Sequence, residues 1–361
     1  MHFSASETSL IFGTLAMLSP PHERTSQRIP LKLLTGFLGS GKTTLLRVLL
    51  RQPPFRRTAV VIGEFGEIAI DHHLIRPLGA DVMTLMDGCP CCTLQGDLVA
   101  TLRELWRMRS VERSLDFERI VFETSGVSEP GPIVNAILAD PGLATRLQLD
   151  GVLCTVDAVH VQDTLARRRE CVRQIAYADH LILTKADLVG ATHAREIARI
   201  IAGMAPDASI HIAKNGQIES GESTFDGPTM TQGDSVIDQW LGTRRHRSAR
   251  ETFDRATDAH SHGLTTFSLT ASRPLNWTAV VTAFSGLLAA HGHEILRIKG
   301  VLDIIGRERP TAIHAVQHVL YPPVELPTWA NEPRRSQVVF ITERLGLETV
   351  KERLWDQLSI S

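Results

Sequence analysis

A chain of 361 residues, 43% of them hydrophobic, is long enough for two or three domains, each with its own core. A formal net charge of −2 and an aromatic content of 5% remove the electrostatic and stacking grounds for a nucleic-acid or membrane-surface partner. No apolar run reaches the roughly 18 residues of a membrane-spanning helix. The cysteines, an odd set of five with three crowded together, argue against a secreted disulfide scaffold and for a reducing, cytoplasmic compartment.

Residues 1–29 read as a disordered extension, or as an upstream start with Met17 as a rival. Their apolar patch, Leu10 to Leu18, has Glu7 and no Lys or Arg before it, unlike a signal peptide, and Pro20, Pro21 and Pro30 bracket the segment. Leu31 to Thr35 then predicts a buried strand ending in glycines, followed by a helix from Thr43 to Leu50. Further short apolar strands are expected at Ala59–Ile62, Val82–Leu85, Ile120–Phe122, Val152–Val156 and Leu181–Leu183, with helical periodicity over Leu98–Leu105. Apolar strands alternating with helices predict an α/β fold, a mostly parallel sheet flanked by helices. Residues 214–262, rich in Gly, Ser, Asp, Thr and His, read as a linker. From Gly263 a smaller C-terminal α+β domain is expected, with strands at Thr265–Leu269, Glu294–Leu302, Thr311–Val319 and Gln337–Ile341 and helices at Trp277–Leu288 and Leu347–Leu358. The organisation is thus 1–29 extension, 30–213 nucleotide domain, 214–262 linker and 263–361 C-terminal domain.

Gly36-Phe37-Leu38-Gly39-Ser40-Gly41-Lys42-Thr43 fits G-x-x-x-x-G-K-[ST] between a predicted strand and a predicted helix, the context this phosphate loop requires. Gly36, Gly39, Ser40 and Gly41 let backbone N–H groups turn toward phosphate oxygens at a helix N-terminus that Thr43 and Thr44 open. Lys42 is placed for the β- and γ-phosphates as a catalytic cation, and the Thr43 hydroxyl for Mg²⁺. Thr184-Lys185-Ala186-Asp187 follows a strand where N-K-x-D would stand. The Asp187 carboxylate can accept both guanine N1–H and N2–H₂, a pair adenine lacks, and the Lys185 stem can lie along the base. The nucleotide is therefore expected to be GTP, with Thr184 replacing the usual Asn.

Glu123-Thr124-Ser125-Gly126 follows Ile120–Phe122, where a Mg²⁺-side carboxylate and a γ-phosphate-sensing glycine belong, and Gly63-Glu64-Phe65-Gly66-Glu67 follows Ala59–Ile62 as a first switch loop. Glu123 and Glu64 are the expected catalytic carboxylates. Asp87-Gly88-Cys89-Pro90-Cys91-Cys92 leaves the same predicted edge. Three soft donors, Cys89, Cys91 and Cys92, suit Zn²⁺, Cu⁺ or Co²⁺ and leave a tetrahedral ion one ligand short, to be filled by Glu64, Glu67, a histidine or water. A redox centre is the rival reading, with a vicinal Cys91–Cys92 disulfide as its strained product. Cys154 and Cys171 are expected as buried small hydrophobes. The pairs His260/His262 and His291/His293 could place two rings on one face, but exposed polar segments explain them equally well.

Together G-F-L-G-S-G-K-T-T (36–44), G-E-F-G-E (63–67), G-C-P-C-C (88–92), E-T-S-G-V-S-E-P (123–130) and T-K-A-D (184–187) resemble the CobW-type GTPases, P-loop proteins related to the nickel chaperones of urease and hydrogenase. H-S-H-G (260–263), R-I-K-G (297–300) and R-R-S-Q-V-V-F-I (334–341) extend the likeness through the C-terminal domain. The resemblance implies slow GTP hydrolysis coupled to insertion of Zn²⁺ or Co²⁺ into a client apo-metalloprotein, with the three cysteines as ligands and the C-terminal domain as client surface. Two departures stand out: Gly63 where the family has Asn, and Pro90 inside C-x-C-C. Rival readings are cobalt delivery for cobalamin synthesis, nitrile-hydratase-type activation and a metal-binding regulator with a vestigial GTPase, with a homo-oligomer also open; Asp187 and the lack of an Arg-rich lid segment disfavour a small-molecule kinase.

Overall fold

The computed structural model describes residues 28–52, 55, 57–63, 81–84, 93–111, 117–214, 217–218, 263–329, 334–355 and 358. They form two compact units, one built on residues 27–203 and 208–227, the other on residues 204–207 and 228–361.

The first unit runs β1 (Ile29–Gly36), α1 (Lys42–Leu49), β2 (Thr58–Ile62), β3 (Asp81–Thr84), α2 (Thr93–Val111), β4 (Arg119–Glu123), α3 (Pro130–Ala139), α4 (Pro141–Ala144), β5 (Leu147–Asp157), α5 (Val161–Arg167), α6 (Arg169–Ala176), β6 (His180–Thr184), α7 (Ala191–Met204), β7 (Ser209–Lys214) and β8 (Gln217–Ile218). The strand order is β3-β2-β4-β1-β5-β6-β7-β8, parallel from β3 to β7 and antiparallel only at β7–β8. Apolar runs such as Thr58-Ala59-Val60-Val61-Ile62 are buried throughout, as strands covered on both faces must be. Lys32 interrupts the run in β1. It is almost fully buried, and its Nζ lies 2.7 Å from Asp150 Oδ2 and 2.9 Å from the Asp150 carbonyl, so the charge is paired and hydrogen-bonded where it would otherwise be costly. Leu45, Leu46 and Leu49 fasten α1 to Leu34, Val60, Val121 and Leu153 of the sheet.

The second unit runs β9 (Leu264–Ala271), α8 (Trp277–His291), β10 (Ile295–Leu302), β11 (Thr311–Val316), β12 (Val319–Leu320), β13 (Val324–Glu325), β14 (Ser336–Glu343) and α9 (Leu347–Val350). Its antiparallel sheet has the order β12-β11-β10-β14-β9, with β13 on β11. The Asn276 side chain accepts from Ala279 N–H at 3.1 Å and starts α8, which sets Val280, Phe284, Leu287 and Leu288 against Phe267, Ile298 and Phe340. The strand expected over Thr311–Val319 breaks in two, because Gln317 takes a left-handed φ of 50° and turns the chain into a tight hairpin that pairs Val316 with Val319. The last helix likewise continues past Val350 as a π-turn, Lys351–Trp355. The fold is the expected one: a P-loop α/β unit with a mostly parallel sheet, and a smaller C-terminal α+β unit.

Candidate nucleotide site

A parallel sheet delivers the carboxyl ends of its strands to one edge, and there the phosphate loop, Gly63, residues 123–126 and residues 184–187 meet. β1 ends at Gly36 with φ 139°, and a Cβ there would lie 2.3 Å from Thr155 Oγ1 and 2.5 Å from the Thr155 carbonyl, so no side chain fits. Gly39 (φ 73°) and Gly41 (φ 92°) also hold left-handed conformations. Ser40 anchors the loop from below through a 2.6 Å bond between its buried Oγ and Thr155 Oγ1. Gly41 occupies the N-cap of α1 without a side-chain cap, which leaves the first N–H groups of the helix to an incoming oxyanion. Lys42 Nζ donates to the Gly36 carbonyl at 2.9 Å, its ammonium folded over the loop, and Thr44 is exposed on the same first turn.

Thr43 Oγ1 donates to Glu123 Oε1 at 2.7 Å, joining α1 to the end of β4 beside a nearly buried carboxylate. A hydroxyl and a carboxylate in contact are the hard oxygen donors Mg²⁺ takes, so the residues present fit that ion. Beyond Glu123 the chain crosses β1: Thr124 N–H donates to the Leu34 carbonyl at 2.9 Å and Thr124 Oγ1 lies 3.0 Å from Thr35 Oγ1. Gly126 then abuts the phosphate loop, where an added Cβ would fall 2.6 Å from the Leu38 side chain and 2.8 Å from its backbone nitrogen. Gly63 N–H donates to the Glu123 carbonyl at 2.8 Å, and a Cβ on Gly63 would meet the Phe122 ring at 2.9 Å.

At β6 the Thr184 hydroxyl sits 2.7 Å from the Ser40 carbonyl and 3.1 Å from that of Val156, so this residue ties the loop 184–187 to the phosphate loop. Lys185 is held at φ 56° with its Nζ 2.8 Å from Asp157 Oδ2, and Asp187 is exposed in the one-turn 3₁₀ segment Ala186–Leu188. Asp157 was not singled out by sequence, although a carboxylate closing β5 beside β6 is placed by the same strand-end logic. Burial works to raise its carboxyl, but hydrogen bonds from Lys185, His160 and the Val159 N–H hold it below the usual carboxylate value.

Glu64, Glu67, Cys89, Cys91, Cys92, His260 and His262 lie outside the described residues. His291 Nδ1 is 2.8 Å from Glu294 Oε2, and His293 meets His318 edge-on at 4.4 Å between ring centroids. Among the described residues no group of three or more His, Cys, Asp or Glu side chains is arranged to hold a metal. Cys154 and Cys171 are buried, in β5 and α6, and burial pushes both thiols up, Cys171 to about 12, as expected of inert small hydrophobes.

Residues 30–212 match the CobW/HypB/UreG nucleotide-binding domain, and residues 264–358 match the C-terminal domain of the cobalamin synthesis protein CobW. The chain belongs to the CobW family. Among its CobW relatives, the zinc chaperone YjiA of Escherichia coli is 30% identical over 324 residues, covering 90% of this chain and 96% of its own. A zinc chaperone CobW from a Sinorhizobium species is 26% identical over 348 residues, covering 87% and 92%. A crystal structure of Zn(II)-bound YjiA GTPase from E. coli shares the fold, with a TM-score of 0.63 at 24% identity over 92% of this chain and 99% of that one. Within the described residues no helix is long and apolar enough to cross a membrane.

Proposed function

We propose that this CobW-family chain is a GTP-hydrolysing metallochaperone, with Zn²⁺ or Co²⁺ as cargo for a client apo-metalloprotein. The observation that carries the reading is the Thr43–Glu123 contact beside a phosphate loop that begins at Gly36, where no Cβ fits, with Thr184 joining the loop 184–187 to it. GTP is the substrate. Gly36, Gly39, Ser40, Gly41 and the first turn of α1 supply backbone donors for the phosphates. Lys42 exchanges its carbonyl partners for β- and γ-phosphate oxygens, where a fixed positive charge stabilises the transferring group. Thr43 and Glu123 would hold Mg²⁺, which supplies charge neutralisation at the β- and γ-oxygens. Asp187 selects guanine, and Glu64 is the switch-loop carboxylate assigned to the water.

The cargo reading rests on Cys89, Cys91 and Cys92 and on zinc chaperones being this chain's relatives at 30% and 26% identity. An ordered γ-phosphate loop would tighten the cysteine turn and hydrolysis would loosen it. Titration of Zn²⁺ and Co²⁺ against a chromophoric chelator tests this, with a non-hydrolysable GTP analogue and with GDP. Affinity higher with the analogue, by several-fold to about a hundredfold as typical couplings allow, and lost in Cys91→Ser/Cys92→Ser, is the expected result. Equal affinity in both nucleotide states would reduce the protein to a metal-binding regulator, and equal binding of GTP and ATP would remove the guanine assignment.

A further inference from the structure

We infer that Gln174 is a positioning residue for the γ-phosphate loop: its amide fixes the turn Ser125–Ser128 against the phosphate loop and so sets the preference of the site for GTP over GDP. The inference rests on the nucleotide reading above and adds to it a residue that carries no motif. Gln174 lies in α6 and is fully buried. Its Nε2 donates to the carbonyls of Gly126 at 3.1 Å and Ser128 at 2.9 Å. Both donors of the amide are thereby spent on one turn, which also closes on itself through Ser128 N–H to the Ser125 carbonyl at 3.1 Å. The preceding residue holds the far end of the turn. Arg173 Nη1 is 2.7 Å and 2.6 Å from the two carboxylate oxygens of Glu129.

Two arguments separate positioning from mere packing. The first is energetic. Among the described residues Gln174 Oε1 is buried with no hydrogen-bond partner. An apolar side chain of the same length would fill the space without leaving a buried acceptor unmatched, so what the amide contributes is its pair of donated bonds. The second is geometric. The peptide unit is planar and trans, so fixing the Gly126 carbonyl toward α6 turns the Val127 N–H the opposite way, where the Ser125 hydroxyl accepts from it at 3.4 Å. On its other side Gly126 meets the backbone of Leu38 in the phosphate loop so closely that no Cβ fits. The turn is thus clasped between α6 and the phosphate loop, and its backbone is already fixed before a γ-phosphate arrives. Pre-orientation lowers the ordering cost of binding the nucleotide that has a γ-phosphate and leaves the cost of binding GDP unchanged.

The test is Gln174→Met in the full-length chain, which keeps length and volume but deletes both donors. Affinities for a non-hydrolysable GTP analogue and for GDP are measured by calorimetry with Mg²⁺, alongside the melting temperature. The expected result is a GDP affinity near wild type and an analogue affinity about tenfold weaker, within the range of typical site-to-site couplings. A residue that only supports the fold would lower the melting temperature and shift both affinities together, and that outcome, or an unchanged ratio, overturns the inference. If Gln174→Met does not fold, Gln174→Asn, which keeps the amide but shortens its reach, decides by the same ratio. Failure of the nucleotide reading is separately visible, because wild type itself would then not distinguish GTP from ATP.

Discussion

The two units of this chain each bury an apolar core but differ in what they do with polar groups. In the first, parallel strands bring Gly36, Gly63, Glu123, Asp157 and Thr184 to one edge, since every strand from β3 to β7 runs the same way. In the second, antiparallel neighbours alternate direction, so strand ends divide between two edges, and among the described residues no comparable set of loops collects. Its helix α8 covers one face through Phe284 and Leu288, and Trp329 packs on a smaller cluster of Val301, Ala312, Leu326 and Val339. The lesson is that topology decides where chemistry can assemble before any side chain is chosen.

Four experiments sharpen that contrast. The largest effect belongs to Gly36→Ala, which adds both a left-handed-φ penalty and a collision with Thr155, about 3–5 kcal/mol together, and abolishes GTP binding. Urea denaturation that found it as stable as wild type would mean the loop is not held as described. Next is Lys32→Met, expected to cost about 2–3 kcal/mol because it leaves Asp150 without its ammonium at a mostly buried position. A double variant with Asp150→Asn should recover part of the loss. Thr184→Val removes the hydroxyl between the loop 184–187 and Ser40. It should cost about 1–2 kcal/mol in stability or GTP affinity, and no change by calorimetry would refute the link.

The smallest effect is a pH dependence that divides the units. Burial holds the His318 imidazole of the second unit below its usual value, with His293 adding to the depression and the Leu288 carbonyl opposing it. A depressed folded value favours the neutral ring in the fold. The stability it contributes is complete above the unfolded value of about 6.5 and is lost as pH falls through the folded value. Asp157 in the first unit is also depressed, but as a carboxylate its contribution persists until pH falls below about 4. Melting between pH 7.5 and 5 should therefore weaken the second unit more, and His318→Gln should flatten that slope. An unchanged slope in the variant would assign it elsewhere.

Much of this was legible because physical necessity leaves a pattern. Gly36, Lys42 and Thr43 are recognisable since a loop that wraps phosphate needs missing side chains, one cation and one hydroxyl at fixed offsets. The apolar runs of β2 and β4 announce strands covered on both faces. Gln174 and Thr155 were not legible: one is a polar residue in an amphipathic helix, the other a threonine in a strand. Their roles arise only when distant segments meet, at |i−j| of 48 between Gln174 and Gly126 and of 115 between Ser40 and Thr155. The hairpin at Gln317 escaped for a different reason, since a left-handed φ at a residue other than Gly or Asn has no compositional signal.

Gly63 has a consequence for anyone exchanging parts between CobW relatives. Its missing Cβ leaves room for the Phe122 ring, which a side chain would approach to 2.9 Å. Gly63 follows the last residue of β2 and lies against the Phe122 ring of β4, so the two behave as one unit of inheritance. A segment 63–67 transplanted from a relative that begins with Asn brings a β-carbon into space the ring already fills. Such a chimera needs a smaller residue at position 122 in the same step, so the boundary of the interchangeable segment is set by a core phenylalanine.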